Sequence, residues 1–364
     1  MAVVATTDGT AVPAAGVFTS NLAAAAPVQV SREHLALSSG HAAGVILTSG
    51  NANAATGKPG HDAAAMLCGA LADGIGAAPS EVLVCQTGLI GIPFPLNHVE
   101  PHLADIVASR APGADAGAAA ARAIMTTDTV PKTALYEAGG FTVGAMAKGA
   151  AMLAPNMATM LALCTTDAVI DPDTLYAALK AAVDQSFNVM TVDGCTSTND
   201  TVLVLASGAA GPVTLEEMTV ALSDVCRSLA EQMVDDAEGA TKVSHVRVVG
   251  APSDAAAHVA ARKVADSMLV QCSLNGEDPY WGRVVSELGS AGVPFDIDKV
   301  AVAYGGIRVC EGGIGIPHDA AAVSTHMAGR HIEILCDLGL GRGVAAVLGT
   351  DLGYGYIDEN RTTS

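Results

Sequence analysis

Clustered basic residues are absent from this chain of 364 residues: 18 Lys and Arg stand against 37 Asp and Glu, for a formal charge of −19. A nucleic-acid partner needs a basic stripe to neutralise phosphates, and none occurs, so that function class is excluded. Aromatic residues are scarce at 3%. Half of the residues are nonetheless hydrophobic, so the core must be built from Ala, Gly and branched aliphatic side chains packed closely, which favours layered sheets and helices. Paired cysteine motifs are also missing. Cys68, Cys85, Cys164, Cys195, Cys226, Cys272, Cys310 and Cys336 are scattered singly, the pattern of reduced core residues rather than of a disulfide framework or a zinc site. Residues 1–13 carry neither the basic start nor the apolar run of a signal peptide, and a cytoplasmic protein is expected. Residues 149–166 are uncharged over about the length of a membrane span, but Pro155, Asn156 and several threonines interrupt them. A buried segment around a site is the better reading, and no membrane partner is expected.

The hydrophobic pattern alternates between two kinds of element. GVILTS at 44–49 and EVLVCQT at 81–87 read as buried strands separated by an Ala-rich helix at about 60–77. A second Ala-rich helix over 116–125 runs into MTTDT, and Pro131 ends it. Strands are expected at 140–147 and 160–165, helices at about 172–183, 214–234 and 254–267, and alternating strands at 244–249, 299–304 and 331–337. No fixed-period repeat or flexible interdomain linker is present. The expected fold is a mixed α/β sandwich, with layered sheets covered by helices.

Several patterns carry chemistry poorly. Gly339, Gly341 and Gly343 follow a strand, but VAAVLGTD at 344–351 resumes strand patterning, and a hairpin explains the glycines better than a dinucleotide site. His98 and His102 are separated by Pro101 and have no third ligand near in sequence, so no metal is expected. No G-x-S-x-G elbow is present, which leaves a serine hydrolase unsupported. The segment KGAAMLAPNMATMLALCTTDA, from Lys148, is different. By pattern alone Thr159 reads as a core threonine; yet Pro155-Asn156 can force a turn that exposes the carbonyl of small Ala158 to the neighbouring hydroxyl. Attack there would give an ester by acyl shift, and its hydrolysis would free the Thr159 amine. An α-amino group titrates at about 7.7 to 8.0, so a good fraction is neutral near physiological pH and can accept the hydroxyl proton.

Long motifs in order along the chain make the pattern specific: AAGVFTSN at 14–21, SGNANAATG at 49–57, CQTGLIG at 85–91, AIMTTDTVPK at 123–132, the block 148–168, SFNVMTVDGCTSTND at 186–200, DAEGATK at 236–242 and DPYWGR at 278–283. Through them the sequence resembles the ornithine acetyltransferase (glutamate N-acetyltransferase) family of arginine biosynthesis over nearly its whole length. The resemblance implies an N-terminal-nucleophile-like fold and self-cleavage between Ala158 and Thr159. Fragment 1–158 would carry the oxyanion hole and fragment 159–364 would begin with the nucleophile. It also implies a ping-pong transfer of acetyl from N2-acetylornithine to glutamate through acyl-Thr159, without a cofactor. The family's oxyanion donors match the Thr87 hydroxyl and the Gly88 backbone N–H; read without the resemblance, this Thr-Gly is an ordinary turn. Its substrate-binding positions match Thr126, Lys148, Thr159, Glu238, Asn360 and Ser364. Lys148 suits a carboxylate and Glu238 an ammonium, though by themselves they would read as a solvated charge and an exposed helix-end acid. A homo-oligomer of cleaved pairs is implied too. Acetyl-CoA as an additional donor stays open, because no feature identifies a CoA pocket. The sequence departs from the family at Gln271, often lysine, at Tyr280, commonly asparagine, and in a slightly shorter tail. A self-processing amidohydrolase or aminopeptidase, and an unprocessed scaffold, are the alternatives. In VDGCTSTND, the groups Asp193, Thr198, Asn199 and Asp200 are expected to buttress a site, and Trp281 to pack.

Overall fold

The computed structural model describes residues 1–152 and 160–361. The chain divides into two compact units, one formed by residues 1–188 and 195–233, the other by residues 189–194 and those from 234 onward. This division differs from the 158/159 junction, which marks an expected covalent cut rather than a spatial border.

The first unit contains strands β1 (Ala2–Ala5), β2 (Val12–Phe18), β3 (His41–Ala42), β4 (Gly44–Asn51), β5 (Val82–Leu89), β6 (Lys132–Ala138), β7 (Phe141–Lys148), β8 (Leu161–Thr166) and β9 (Thr201–Ala206). They form a three-stranded sheet of order β1-β4-β5 and a six-stranded sheet of order β3-β2-β9-β8-β7-β6. Period-2 alternation shows how the layers stack. Val45, Leu47, Leu83 and Cys85 of the small sheet share a buried cluster with Met146, Leu161, Leu163, Leu203 and Leu205 of the large one. Ile46, Val82 and Val84 point the other way, into a second cluster with Val30, Leu67 and Leu71 from helices Ala26–Leu37 and Gly57–Ile75. Both faces of β4 and β5 are therefore covered, which is why these strands read as continuous apolar runs.

Helix Pro172–Asp184 packs against β2 and β9 through Leu175, Ala178, Leu179, Ala182 and Val183, an i, i+3, i+4, i+7, i+8 stripe. Its start is set by Pro172 in the first turn and by the Asp171 side chain, which accepts the Thr174 N–H at 3.0 Å. Sheets thus lie inside and helices outside, as the composition predicts.

The second unit holds β10 (Val243–Ala251), β11 (Ala301–Tyr304), β12 (Ile307–Glu311), β13 (Ile314–Gly315), β14 (His331–Asp337) and β15 (Gly343–Thr350), in the order β13-β12-β11-β14-β10-β15. β14 alternates cleanly: Ile332, Ile334 and Cys336 are buried, while His331, Glu333 and Leu335 are exposed. The buried face joins helices Asp254–Ala265, Met268–Asn275 and Trp281–Gly289 in one core, against which Trp281 packs, partly buried.

Two expectations are corrected. β14 and β15 are not a hairpin, because β10 lies between them, parallel to β14 and antiparallel to β15. The glycine-rich connection crosses a strand instead of turning back on its neighbour. Not all cysteines are core residues either: six are buried, whereas Cys195 and Cys272 are exposed. At the departure Gln271, the buried amide donates to the Val192 and Ala265 carbonyls, both at 3.1 Å, so it satisfies local backbone. Among the described residues no helix is long and apolar enough to cross a membrane.

Candidate active site

In the first unit, the ends of β5, β7, β8 and β9 bring together motifs far apart in sequence. β7 and β8 pair Lys148 with Leu161, and β8 and β9 pair Leu161 with Thr201, so the residues just beyond these positions lie along one edge of the sheet. Lys148 donates from Nζ to Thr87 Oγ1 at 3.4 Å, joining the large sheet to the end of β5. Both side chains are buried, Thr87 being 1% and Lys148 3% exposed. The isolated-sequence reading of Lys148 as a solvated charge is therefore overturned: long-range packing encloses it.

Gly88 follows with φ +132°, in a region that L side chains rarely adopt, and a Cβ there would stand 2.2 Å from the Gly50 carbonyl carbon. No other residue fits this close approach of β5 to β4. A polar network behind it holds the strand end. The Asn199 amide donates to the Ala52 carbonyl at 2.6 Å and to the Gln86 carbonyl at 2.9 Å. Asn53 donates to Gln86 Oε1 at 2.8 Å, and Gln86 donates to Thr48 Oγ1 at 3.2 Å. The FTSN stretch closes the same network, with Thr19 Oγ1 donating to the Ser197 carbonyl at 2.6 Å and Asn21 to the Thr196 carbonyl at 2.8 Å. SGNANAATG, CQTGLIG, AAGVFTSN and TSTND are thus parts of one buried construction around Thr87 and Gly88. The buttressing expected of Asn199 is observed; Asp193, in the second unit, instead accepts the Tyr356 hydroxyl at 3.2 Å. Asn199→Ala would leave two buried carbonyls without their donor, at a cost of about 2 kcal/mol or more. Thermal unfolding should shift down by roughly 3 °C in a chain of this size, and an unchanged midpoint would show that the clamp is idle.

Sequence reading missed the charge centre of this region. Asp128, in MTTDT, is buried and accepts Lys132 Nζ at 2.6 Å, the Gly149 N–H at 2.7 Å and the Thr126 N–H at 3.1 Å, with Lys148 Nζ 3.9 Å away. Burial works against its charge, but the Lys148 and Lys132 ammonium groups and these hydrogen bonds outweigh it and hold the carboxyl below the usual carboxylate range. Thr126 itself is exposed beside it. Asp200 behaves oppositely. It is wholly buried, and desolvation pushes its carboxyl well above the usual range despite the Met160 N–H it accepts at 2.9 Å and the nearby Lys148 charge. Lys132 and Lys148 thus flank the Asp128 carboxylate inside the first unit. The only sequence signal for Asp128 and Lys132 was their place, four apart, in AIMTTDTVPK.

Ala158, Thr159 and Ser364 lie outside the described residues. Glu238 and Asn360 belong to the second unit. Separated by 122 positions, they meet there, Asn360 Nδ2 donating to Glu238 Oε2 at 2.7 Å and to the Tyr356 carbonyl at 3.0 Å. Glu238 is 8% exposed, not the exposed acid its isolated context suggests. Gly239, with φ +62°, permits this, because a Cβ there would lie 2.0 Å from the Tyr356 nitrogen of helix Tyr354–Asn360.

Chemically, the first unit offers a buried hydroxyl and a glycine N–H at one strand end, an enclosed ammonium beside them, and a buried carboxyl hydrogen-bonded to the Met160 N–H. The second offers a carboxylate with an amide. Hydrogen-bond donors of the first kind suit a developing oxyanion, and the charged groups suit an amino-acid ligand.

The chain is 46% identical over 358 residues to the arginine biosynthesis bifunctional protein ArgJ of Mycolicibacterium paratuberculosis, covering 96% of this chain and 87% of the relative. It is 45% identical over 353 residues to the protein of the same name from Bifidobacterium longum, covering 95% and 89%. The crystal structure of ArgJ from Bacillus halodurans superposes with a TM-score of 0.52 and 33% identity, over 54% of this chain and 96% of that one. The ArgJ family profile matches residues 1–362, and the chain belongs to the ArgJ family.

Proposed function

We infer that this chain is a glutamate N-acetyltransferase of arginine biosynthesis, moving acetyl from N2-acetylornithine to glutamate through an acyl-threonine. The observation that carries the reading is the buried construction around Thr87 and Gly88, four motifs converging on two oxyanion donors beside an enclosed Lys148, in a chain of the ArgJ family.

Thr159 Oγ first attacks the Ala158 carbonyl carbon. The bond to the Thr159 nitrogen breaks, that nitrogen takes up the hydroxyl proton, and water hydrolyses the ester to leave fragments 1–158 and 159–364. In turnover the free amine accepts the Oγ proton as Oγ attacks the acetyl carbonyl, and returns a proton to the departing ornithine nitrogen. The Thr87 hydroxyl and the Gly88 N–H hold the tetrahedral oxyanion. The glutamate amine then attacks the acetyl ester, and the same groups act in reverse. Thr126, Lys148, Glu238, Asn360 and Ser364 bind the amino-acid groups, Lys148 taking a carboxylate and Glu238 an ammonium. Splitting the transfer at an acyl-enzyme replaces one hard step with two easier ones. The enzyme works in the cytoplasm as an oligomer of cleaved pairs, a reading supported by the family resemblance and the singly scattered cysteines.

Incubation of purified protein with N2-acetylornithine and glutamate should give N-acetylglutamate and ornithine in equal amounts, followed by mass spectrometry. Acetate as the main product would overturn the transferase in favour of a hydrolase. Acetyl-CoA tested as sole donor decides whether this chain has the second activity that the relatives' bifunctional names suggest.

A further inference from the structure

Asp200 closes the TSTND stretch immediately before β9, and its placement is costly. A carboxyl with no exposure loses the solvation that normally stabilises its charge. Asp200 Oδ1 accepts the Met160 N–H at 2.9 Å, whereas Oδ2 has no hydrogen-bond partner among the described residues. Desolvation accordingly pushes this carboxyl well above the usual carboxylate range, against the opposing pull of the Met160 N–H, the Lys148 charge and the Thr19 hydroxyl. Nothing in the packing of β9 demands an acid here: Val202, Leu203, Val204 and Leu205 secure the strand by apolar burial.

What the carboxyl does hold is specific. The Met160 nitrogen belongs to the peptide unit that attaches residue 159, and that unit is planar. The Met160 carbonyl is held as well, accepting the Thr201 N–H at 3.1 Å. Both polar groups of Met160 are therefore tied to the start of β9, and the Thr19 N–H donates to the Asp200 carbonyl at 2.9 Å, tying that start to β2. The attachment point of position 159 is anchored through a side chain rather than by regular sheet pairing.

We propose that Asp200 is a positioning residue of the acyl-transfer reaction, its carboxyl holding the Met160 N–H and so orienting the nucleophile joined one residue upstream, in self-cleavage and in acetyl transfer alike. The proposal rests on the reading of Thr159 as that nucleophile. It requires an acceptor of the right shape for the Met160 N–H, and the Asn amide oxygen supplies one.

The test compares Asp200→Asn and Asp200→Ala with wild type in full-length protein, reading the extent of self-cleavage by intact mass and kcat and KM for acetyl transfer to glutamate. D200N should keep cleavage and stay within about threefold of the wild-type kcat. D200A should lose about 10- to 100-fold in kcat, and cleave correspondingly slowly, while KM for glutamate moves little. Wild-type kcat in D200A would overturn the proposal, as would a D200N protein impaired as severely as D200A. Should D200A fail to fold, D200N alone decides, a tenfold or greater fall in its kcat being the contrary result. Thr159→Ala is run beside them. If it still cleaves and transfers acetyl, the nucleophile reading falls and the Asp200 proposal with it, an outcome distinct from any result with the Asp200 variants.

Discussion

Thr159→Ala should accumulate as one uncut polypeptide and transfer no acetyl, because the same Oγ performs both reactions. Removing a nucleophile outright costs on the order of 10⁵-fold or more in turnover, since the remaining groups can bind and polarise but cannot form the acyl-enzyme. Thr159→Ser keeps the hydroxyl and, once cut, the α-amine, so it should retain part of both activities. Two measurements separate the steps. Intact mass reads the cut, where wild type should show a fragment beginning at residue 159. Acetyl-enzyme, trapped by acid quench after exposure to N2-acetylornithine alone, reads the first half of turnover and should place the added acetyl on that fragment. Cleavage and transfer surviving in the alanine variant would put the nucleophile elsewhere. A wild-type protein that stays whole and inactive would favour the unprocessed scaffold.

The second large effect is expected at Asp128, on stability. This carboxylate neutralises Lys132, whose side chain is fully buried, and lies near Lys148. Asp128→Asn keeps the shape and removes the charge, leaving two buried ammonium groups in proximity. Breaking one side of a buried ion pair costs about 3–5 kcal/mol, mostly from the charge left behind, so the unfolding midpoint should fall by roughly 4–7 °C in a chain of this size. The double variant Asp128→Asn with Lys132→Met removes the stranded charge together with its partner and should recover at least half of that loss. A double variant no more stable than Asp128→Asn would show that the hydrogen bonds of Asp128 to Thr126 and Gly149, not its charge, are what matter. Acid provides an independent check. Because the folded carboxyl titrates below its unfolded value, near about 3.9, its contribution is complete above that value and disappears as pH falls through the depressed folded one. Below about pH 4 the stability advantage of wild type over the double variant should therefore shrink.

The enclosed charges also bear on substrate choice. An ammonium at Lys148 with 3% exposure is poorly solvated, so an anion reaching it gains more than it would at a surface lysine. We propose that this is how the acceptor glutamate is preferred to water, through a carboxylate that water lacks.

Much of the fold was legible in the residues because periodicity is local. Strands at 44–49, 81–87, 140–147 and 160–165 correspond to β4, β5, β7 and β8, and the helices expected at about 172–183, 214–234 and 254–267 correspond to Pro172–Asp184, Leu215–Asp235 and Asp254–Ala265. Continuous apolar runs marked strands covered on both faces, and alternation marked β14. Strand order escaped, as the rejected hairpin between β14 and β15 shows: pairing depends on which distant segment fits between them, and β10 does. Burial of charge escaped for a related reason. Lys148, Lys132, Asp128 and Glu238 carry no local mark of burial in sequence and become enclosed only when remote strands and helices close over them.

By itself, then, the sequence determined the secondary elements, the small-residue core and the motifs that mark the ArgJ family, all of which are written in short windows or in residue identity. Tertiary structure alone decided that Asn199 braces the strand end bearing Thr87, that Asp128 carries its charge between two lysines, and that Asp200, its carboxyl pushed well above the usual range by burial, holds Met160. The reason is physical. Hydrophobic periodicity acts over a few residues, whereas the ionisation and hydrogen bonding of a side chain depend on whatever the fold places within a few ångströms of it.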